Sequence, residues 1–192
     1  MIFDVTIIGA GITGAMTAYM LAGYNVKTAV VEAGADIASG TTRANSAIIH
    51  AGYDAKEGTL KAELNVRGCA MMEGIANALG VAYKKCGSLV VGFSEKDREH
   101  LEVLKARGIK NGVSGLRIID SDELHRLEPH VSDKATCALL APSAGIVCPY
   151  DLAFAVSENA ATNSTDFIFD FKVTSIAYDG EYYTVSDGDR SV

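Results

Sequence analysis

The feature that most constrains this chain lies between Asp4 and Glu32, which reads DVTIIGAGITGAMTAYMLAGYNVKTAVVE. An apolar run, Val5 to Ile8, leads straight into Gly9-Ala10-Gly11-Ile12-Thr13-Gly14. A helical stretch follows, and a second apolar run, Lys27 to Val31, ends on Glu32. Each glycine has a mechanical reason. Gly9 permits the tight turn from strand to helix, Gly11 lets a diphosphate approach the backbone, and Gly14 lets helix and strand pack closely. The diphosphate is then expected on free N–H groups at the helix N-terminus, where the helix dipole also favours an anion. Glu32 follows Gly14 by eighteen residues, the distance at which an acid grips a ribose hydroxyl. A Rossmann-like α/β fold is therefore expected.

Composition narrows the classes. The chain has 192 residues, 48% of them hydrophobic, enough for a packed core, and a formal net charge of −7. That balance, with no basic stripe, argues against a nucleic-acid partner. Cys69, Cys86, Cys137 and Cys148 lack CxxC or zinc-type spacing and read as buried thiols of a reducing cytoplasm. Four histidines with no i, i+4 pair and no acidic partner at ligand spacing give no metal site. The N-terminus lacks the basic region of a secretory signal. Val5 to Leu21 is too short and too interrupted by glycine and threonine to span a bilayer. A cytoplasmic protein is expected, with peripheral membrane attachment left open.

Further along, Ala15 to Gly23 reads as the crossover helix, with Ala15, Ala18, Met20 and Leu21 toward the sheet. Gly34 to Gly52 is a long loop carrying Arg43, Asn45, Ser46 and His50; such a loop is unusual unless it has a function. Thr59 to Leu79 reads as a helix whose stripe is Leu60, Leu64, Gly68, Met71, Met72, Ile75 and Leu79, with the methionines in the core. Strands are expected at Gly87–Phe93, Leu116–Ile119 and Ala138–Ala141. Helices are expected at Glu95–Arg107 behind Ser94, at Asp122–Leu127 behind Asp120 or Ser121, and from Pro149 onward, with Leu152, Ala155, Val156 and Ala160 on one stripe. Asp166–Ile176 and Glu181–Ser186 read as strands joined by a turn at Asp179-Gly180. The organisation expected is a discontinuous nucleotide domain, residues 1–85 and 146–192, interrupted by mixed α+β elements at 86–145.

Beyond the glycine loop, the segments SGTTRANSAIIHAGYDA, GTLKAELNVRG and APSAGIVCPYDLAFAVSENA resemble the FAD-dependent oxidoreductases of the D-amino-acid oxidase class. Within it the likeness is nearest to bacterial FAD-type glycerol-3-phosphate dehydrogenases, with L-2-hydroxyglutarate oxidases as relatives. The resemblance implies a glutathione-reductase-type FAD domain with part of an inserted α+β substrate domain. It implies hydride transfer to flavin from a small anionic hydroxy substrate, with the electron acceptor undefined. Gly9, Gly11, Ile12, Thr13 and Gly14 would hold the FAD diphosphate, and Glu32 and Ala33 the adenosine end. Thr42, Arg43, Asn45 and Ser46 would line the flavin-proximal loop, with His50, Ala51 and Gly52 near the ring and Val173 against adenine through its backbone. His50 and Arg43 are the catalytic candidates. No histidine occurs among Arg43-Ala44-Asn45-Ser46, where relatives attach flavin covalently, so FAD is expected to be held non-covalently. Members of the family supply, in a later half, a further strand of the FAD sheet, the rest of the substrate sheet and a loop against the flavin. Residues 1–192 alone are therefore expected to be marginally stable, prone to self-association and inactive.

Plainer readings stand beside these. His50 is either a loop histidine bonded to backbone or a base for the substrate hydroxyl, a task that suits a neutral imidazole. Arg43 either neutralises a phosphate or carboxylate or bridges two loops. Lys61, Asn65 and Arg67 read as a solvated helix face, and His100, His125 and His130 as surface groups. Ser46 lacks a GxSxG context and is not a hydrolase nucleophile. An NAD-dependent dehydrogenase would also use Gly9–Gly14 and Glu32, although the long loop Gly34–Gly52 suits FAD better. A non-catalytic nucleotide-binding module is the third reading.

Overall fold

The computed structural model describes residues 2–192; Met1, the first residue of the expected nucleotide domain, lies outside the described residues. In chain order the elements are β1 (Val5–Ile8), α1 (Ile12–Leu21), β2 (Thr28–Val31), a 3-10 turn (Thr41–Arg43), β3 (Ile48–Ile49), α2 (Leu60–Leu79), β4 (Tyr83–Lys84), β5 (Ser88–Gly92), α3 (Glu95–Lys110), β6 (Arg117–Asp120), α4 (Ser121–Leu127), β7 (Cys137–Ala141), β8 (Gly145–Val147), α5 (Pro149–Thr162), β9 (Asp166–Ile168), β10 (Ser175–Tyr178) and β11 (Tyr183–Ser186). They form two compact units. One contains residues up to Ser46, Leu79–Val81 and Cys148–Val192; the other contains Ala47–Ala78 and Ala82–Val147. This boundary differs from the expected division at residue 85. Residues 47–78 fold with the segment 82–147: Cys69 of α2, for example, donates from Sγ to Ser143 O at 3.3 Å.

The first unit is built on a parallel sheet in the order β1-β2-β9. β2 is central and buried along its whole length, as a continuous apolar run in a parallel sheet requires. α1 crosses between β1 and β2 and turns Ala15 and Ala18 inward. Ala18 meets Ala153 and Ala160 of α5 in a cluster with Val30 and Ile37. Small side chains let the two helices approach closely. Met20, expected on the sheet side, is 47% exposed. The expected long strand Asp166–Ile176 is divided. After Ile168 the chain passes Asp170 at φ 52°, where Asp170 N donates to Gly34 O and Phe171 N to Glu32 O. It then resumes as the antiparallel hairpin β10–β11.

The second unit contains an antiparallel sheet in the order β5-β7-β6. Alternation along β7 serves two layers. Cys137, Leu139 and Ala141 join Leu101 and Leu104 of α3, while Ala138 joins Leu124 of α4. Both helices start where the sequence predicts. Ser94 Oγ accepts from Asp97 N at 3.2 Å, and Asp120 Oδ1 from Glu123 N at 2.9 Å. β4 and β8, which the sequence pattern does not reveal, pair with each other, and β8 also pairs with β3. α2 corrects its expected stripe. Its buried residues are Ala62, Cys69 and Ala76, while Leu60, Leu64 and Met71 are exposed. Small residues at a spacing of seven let the helix lie close, while Met72, Ile75 and Leu79 of the expected stripe are half-buried. Cys69 and Cys137 are buried as expected, whereas Cys86 and Cys148 are exposed; burial pushes the Cys69 thiol above its usual range. No helix among the described residues is long and apolar enough to cross a membrane.

Candidate functional site

In the first unit, the end of β1 feeds the N-terminus of α1 through Gly9, at φ +100°, a conformation glycine adopts without strain. Gly14 is fixed by packing, because a Cβ there would lie 2.0 Å from Gly9 O. Gly11 differs. A Cβ there would meet only Thr42 Oγ1, at an ordinary 3.4 Å, so the fold itself does not demand glycine. What Gly11 keeps clear is a groove of about 610 Å³, lined by Gly9, Gly11–Gly14, Glu32, Thr41, Thr42 and Asn45 among others.

The polar groups around this groove are ordered by long-range bonds. Ile12 N donates to Thr42 Oγ1 at 3.0 Å, so a side chain thirty residues away caps α1. Glu32 accepts from Ala10 N at 2.7 Å through Oε2 and from Gly34 N at 2.8 Å through Oε1. A carboxylate has about four acceptor positions, so Glu32 can brace the glycine loop and still accept a ligand hydroxyl. Asn45 Nδ2 donates to Thr42 O at 2.7 Å and closes the 3-10 turn. Because Ile12 N is committed to Thr42, the amides left to a ligand at this terminus are those of Gly11, Thr13 and Gly14, none of which bonds within the described residues. No acidic side chain stands in the first turn of α1 to repel an anion. A space that a Cβ would fill, unpartnered amides and a clear dipole fit a nucleotide diphosphate.

The remaining candidates of this unit lie off the groove's lining. Arg43, in the 3-10 turn, and Ala33 and Ser46 are exposed. Val173 is partly buried against Val31, Phe171 and Val185.

In the second unit, His50 is exposed and lines a pocket of about 150 Å³ with Gly52, Tyr53, Asp54, Ala55, Lys61 and Asn65. Ala51 belongs to the core, at 2% exposure. Gly52 adopts φ +107°, and a Cβ there would lie 2.6 Å from Val66 Cγ2. Asn65, read from sequence as part of a solvated face, instead donates from Nδ2 to His50 O at 2.8 Å. Asn111, which the sequence does not single out, donates to Gly52 O at 2.9 Å and to Ala55 O at 2.8 Å. Neither signal is local, so spacing could not reveal it.

The sequence pattern of the family described as FAD dependent oxidoreductase runs through residues 4–192. Glycerol 3-phosphate dehydrogenase of Caloramator mitchellensis is 41% identical over 174 residues, covering 91% of this chain and 36% of that protein. The mitochondrial L-2-hydroxyglutarate dehydrogenase of Pongo abelii is 32% identical, with 91% of this chain and 42% of that protein covered. Among solved structures, the dithionite-reduced L-α-glycerophosphate oxidase of Mycoplasma pneumoniae with FAD bound superposes with a TM-score of 0.89 at 32% identity, covering 95% of this chain and 49% of that one. The chain thus spans less than half the length of these relatives. With the family pattern extending over nearly its whole length, the chain belongs to the FAD dependent oxidoreductases.

Proposed function

We propose that the protein carrying this chain oxidises a small anionic hydroxy compound, most directly sn-glycerol 3-phosphate, with FAD as the two-electron acceptor. The observation that carries the cofactor half of this reading is Gly11: its missing side chain serves no packing need of the fold, yet keeps a groove open beside unpartnered amides. The 41% identity to a glycerol 3-phosphate dehydrogenase supports the substrate. L-2-hydroxyglutarate is the second reading, supported by the 32% identity to a dehydrogenase of that acid.

On this reading Gly11, Thr13 and Gly14 donate to the diphosphate, and Glu32 accepts from the adenosine ribose, with Ala33 and Val173 at that end. Thr42, Asn45 and Ser46 shape the loop toward the flavin, and Arg43 offers its charge to a phosphate or carboxylate. FAD, when bound, would supply the two-electron acceptor for the hydride of the carbinol carbon. An imidazole nitrogen of His50 takes the hydroxyl proton, a contribution of roughly 10²- to 10⁴-fold, and Ala51 and Gly52 hold the loop around it. Within the expected 1–85 and 146–192, the unit that runs up to Ser46 and resumes at Cys148 acts as the FAD-binding part, and 86–145 acts as part of the substrate cap. The cofactor is held non-covalently, so acid precipitation leaves the flavin in the supernatant. The cysteines need no oxidising compartment, and a cytoplasmic site of action suits them. The test is anaerobic mixing of the full-length, FAD-loaded protein with each substrate. Bleaching of the flavin's visible absorbance by glycerol 3-phosphate supports the first reading, bleaching by L-2-hydroxyglutarate alone selects the second, and bleaching by neither refutes both.

A further inference from the structure

The segment from His50 to Ala55 lies between β3 and α2, with no ladder to satisfy its carbonyls. Side chains do that work. His50 O accepts from Asn65 Nδ2 of α2, Gly52 O and Ala55 O from Asn111 Nδ2 just beyond α3, and Asp54 O from Arg107 Nη1 at 3.2 Å. Both helices are also shaped to receive the segment. A Cβ on Gly108 of α3 would lie 2.7 Å from Tyr53 Cβ and 2.3 Å from Leu116 Cδ1. The absent side chain at Gly52 leaves room for Val66 of α2. The segment is therefore fixed by two amides and one guanidinium supplied from 15 to 59 residues away. The His50 imidazole itself is exposed at the pocket, while its backbone carbonyl is tied down by Asn65.

We propose that Asn65 is a positioning residue for His50: by holding the His50 carbonyl to α2 it fixes where the imidazole meets the substrate hydroxyl. This rests on the reading of His50 as the base. An anchored backbone leaves an exposed imidazole only its side-chain torsions to explore, and a positioned group loses up to about 10²-fold in rate when displaced by about 1 Å. A replacement for Asn65 must present a donor at the same place, because the partner is a carbonyl and can only accept.

The test uses the full-length, FAD-loaded protein and dye-coupled turnover of sn-glycerol 3-phosphate. Asn65→Ala is expected to lower kcat about 10- to 100-fold, with flavin affinity unchanged. Asn65→Asp presents a carboxylate that cannot donate until it is protonated. Its kcat relative to the unaltered protein at the same pH is therefore expected to rise as pH falls from about 6 to about 4, into the carboxylate range. A merely misfolded variant shows no such recovery. In a His50→Ala background, Asn65→Ala is expected to cost nothing further, since coupled residues are not additive. Additive losses, or an Asn65→Asp ratio flat with pH, overturn the positioning role while leaving His50 as the base. Full turnover by His50→Ala overturns the base reading, and the role of Asn65 falls with it.

Discussion

The glycine loop of the first unit and the His50 segment of the second are built in opposite ways. The glycine loop is backbone architecture. A strand, a turn and a helix terminus follow one another within ten residues, and Gly9 and Gly14 are required by a dihedral angle and a contact distance. The His50 segment has no regular structure of its own and borrows its rigidity from Asn65, Arg107 and Asn111. Glu32 and Thr42 brace the glycine loop from outside, but its turn and the amides it leaves free are main chain, which every residue carries. Fixing one reactive side chain takes particular donors brought from afar.

The largest expected effect attacks the backbone-built region. Gly14→Ala places a methyl group 2.0 Å from Gly9 O, a contact the turn cannot relieve without moving β1 or α1. A loss of about 3 kcal/mol or more is expected, read by urea unfolding. Unchanged stability would mean that the turn is softer than this packing requires.

The next effect attacks the borrowed region. Asn111→Ala leaves the carbonyls of two buried residues, Gly52 and Ala55, without their donor. Unsatisfied buried groups cost about 1–3 kcal/mol each, so a loss of about 2 kcal/mol or more is expected. Hydrogen exchange should quicken in residues 50–55 before the rest of the unit. Uniform exchange in this variant would show that Asn111 is not what holds the segment.

The same contrast governs what is legible in the sequence. β1, α1, β2 and the caps at Ser94 and Asp120 follow from local chemistry and lie within a residue or a few of their expected places. The groove-lining residues Gly9, Gly11–Gly14 and Glu32 are legible for the same reason, whereas Thr42 and Asn45 are named through the family resemblance. The face of α2 is not. Hydrophobic spacing favours Leu60, Leu64 and Met71, but close packing selects Ala62, Cys69 and Ala76, a choice made by the neighbours rather than by the helix. β4 and β8 are too short to show a period, and the break at Asp170 depends on bonds to Glu32 and Gly34, more than 130 residues earlier. Thr42 as the cap of α1, and Asn65, Gly108 and Asn111 as supports of the His50 segment, are illegible because each acts across a long separation.

A smaller effect belongs to the start of α3, the helix whose last turn leads into Asn111. Hydrogen bonds from Phe93 N and Ser94 hold the Asp97 carboxyl below its usual range. A carboxyl lowered in the folded state contributes stability that is present above its unfolded pKa and lost as pH falls through the folded value. Comparing Asp97→Asn with the unaltered protein in urea, the stability gap is expected to be widest near neutral pH and to close in acid below about pH 4. A gap independent of pH would remove the carboxylate from the cap.

On the proposed function, the open space at Gly11 serves the cofactor and not the fold. Titrating FAD into the protein and into Gly11→Ala, with urea unfolding of both, separates these two roles. Gly11→Ala is expected to unfold within about 1 kcal/mol of the unaltered protein, as a glycine-to-alanine change at a helix N-cap allows, yet to lose FAD affinity about 100-fold or more. Equal FAD affinity in the two proteins would show that the space at Gly11 serves no diphosphate.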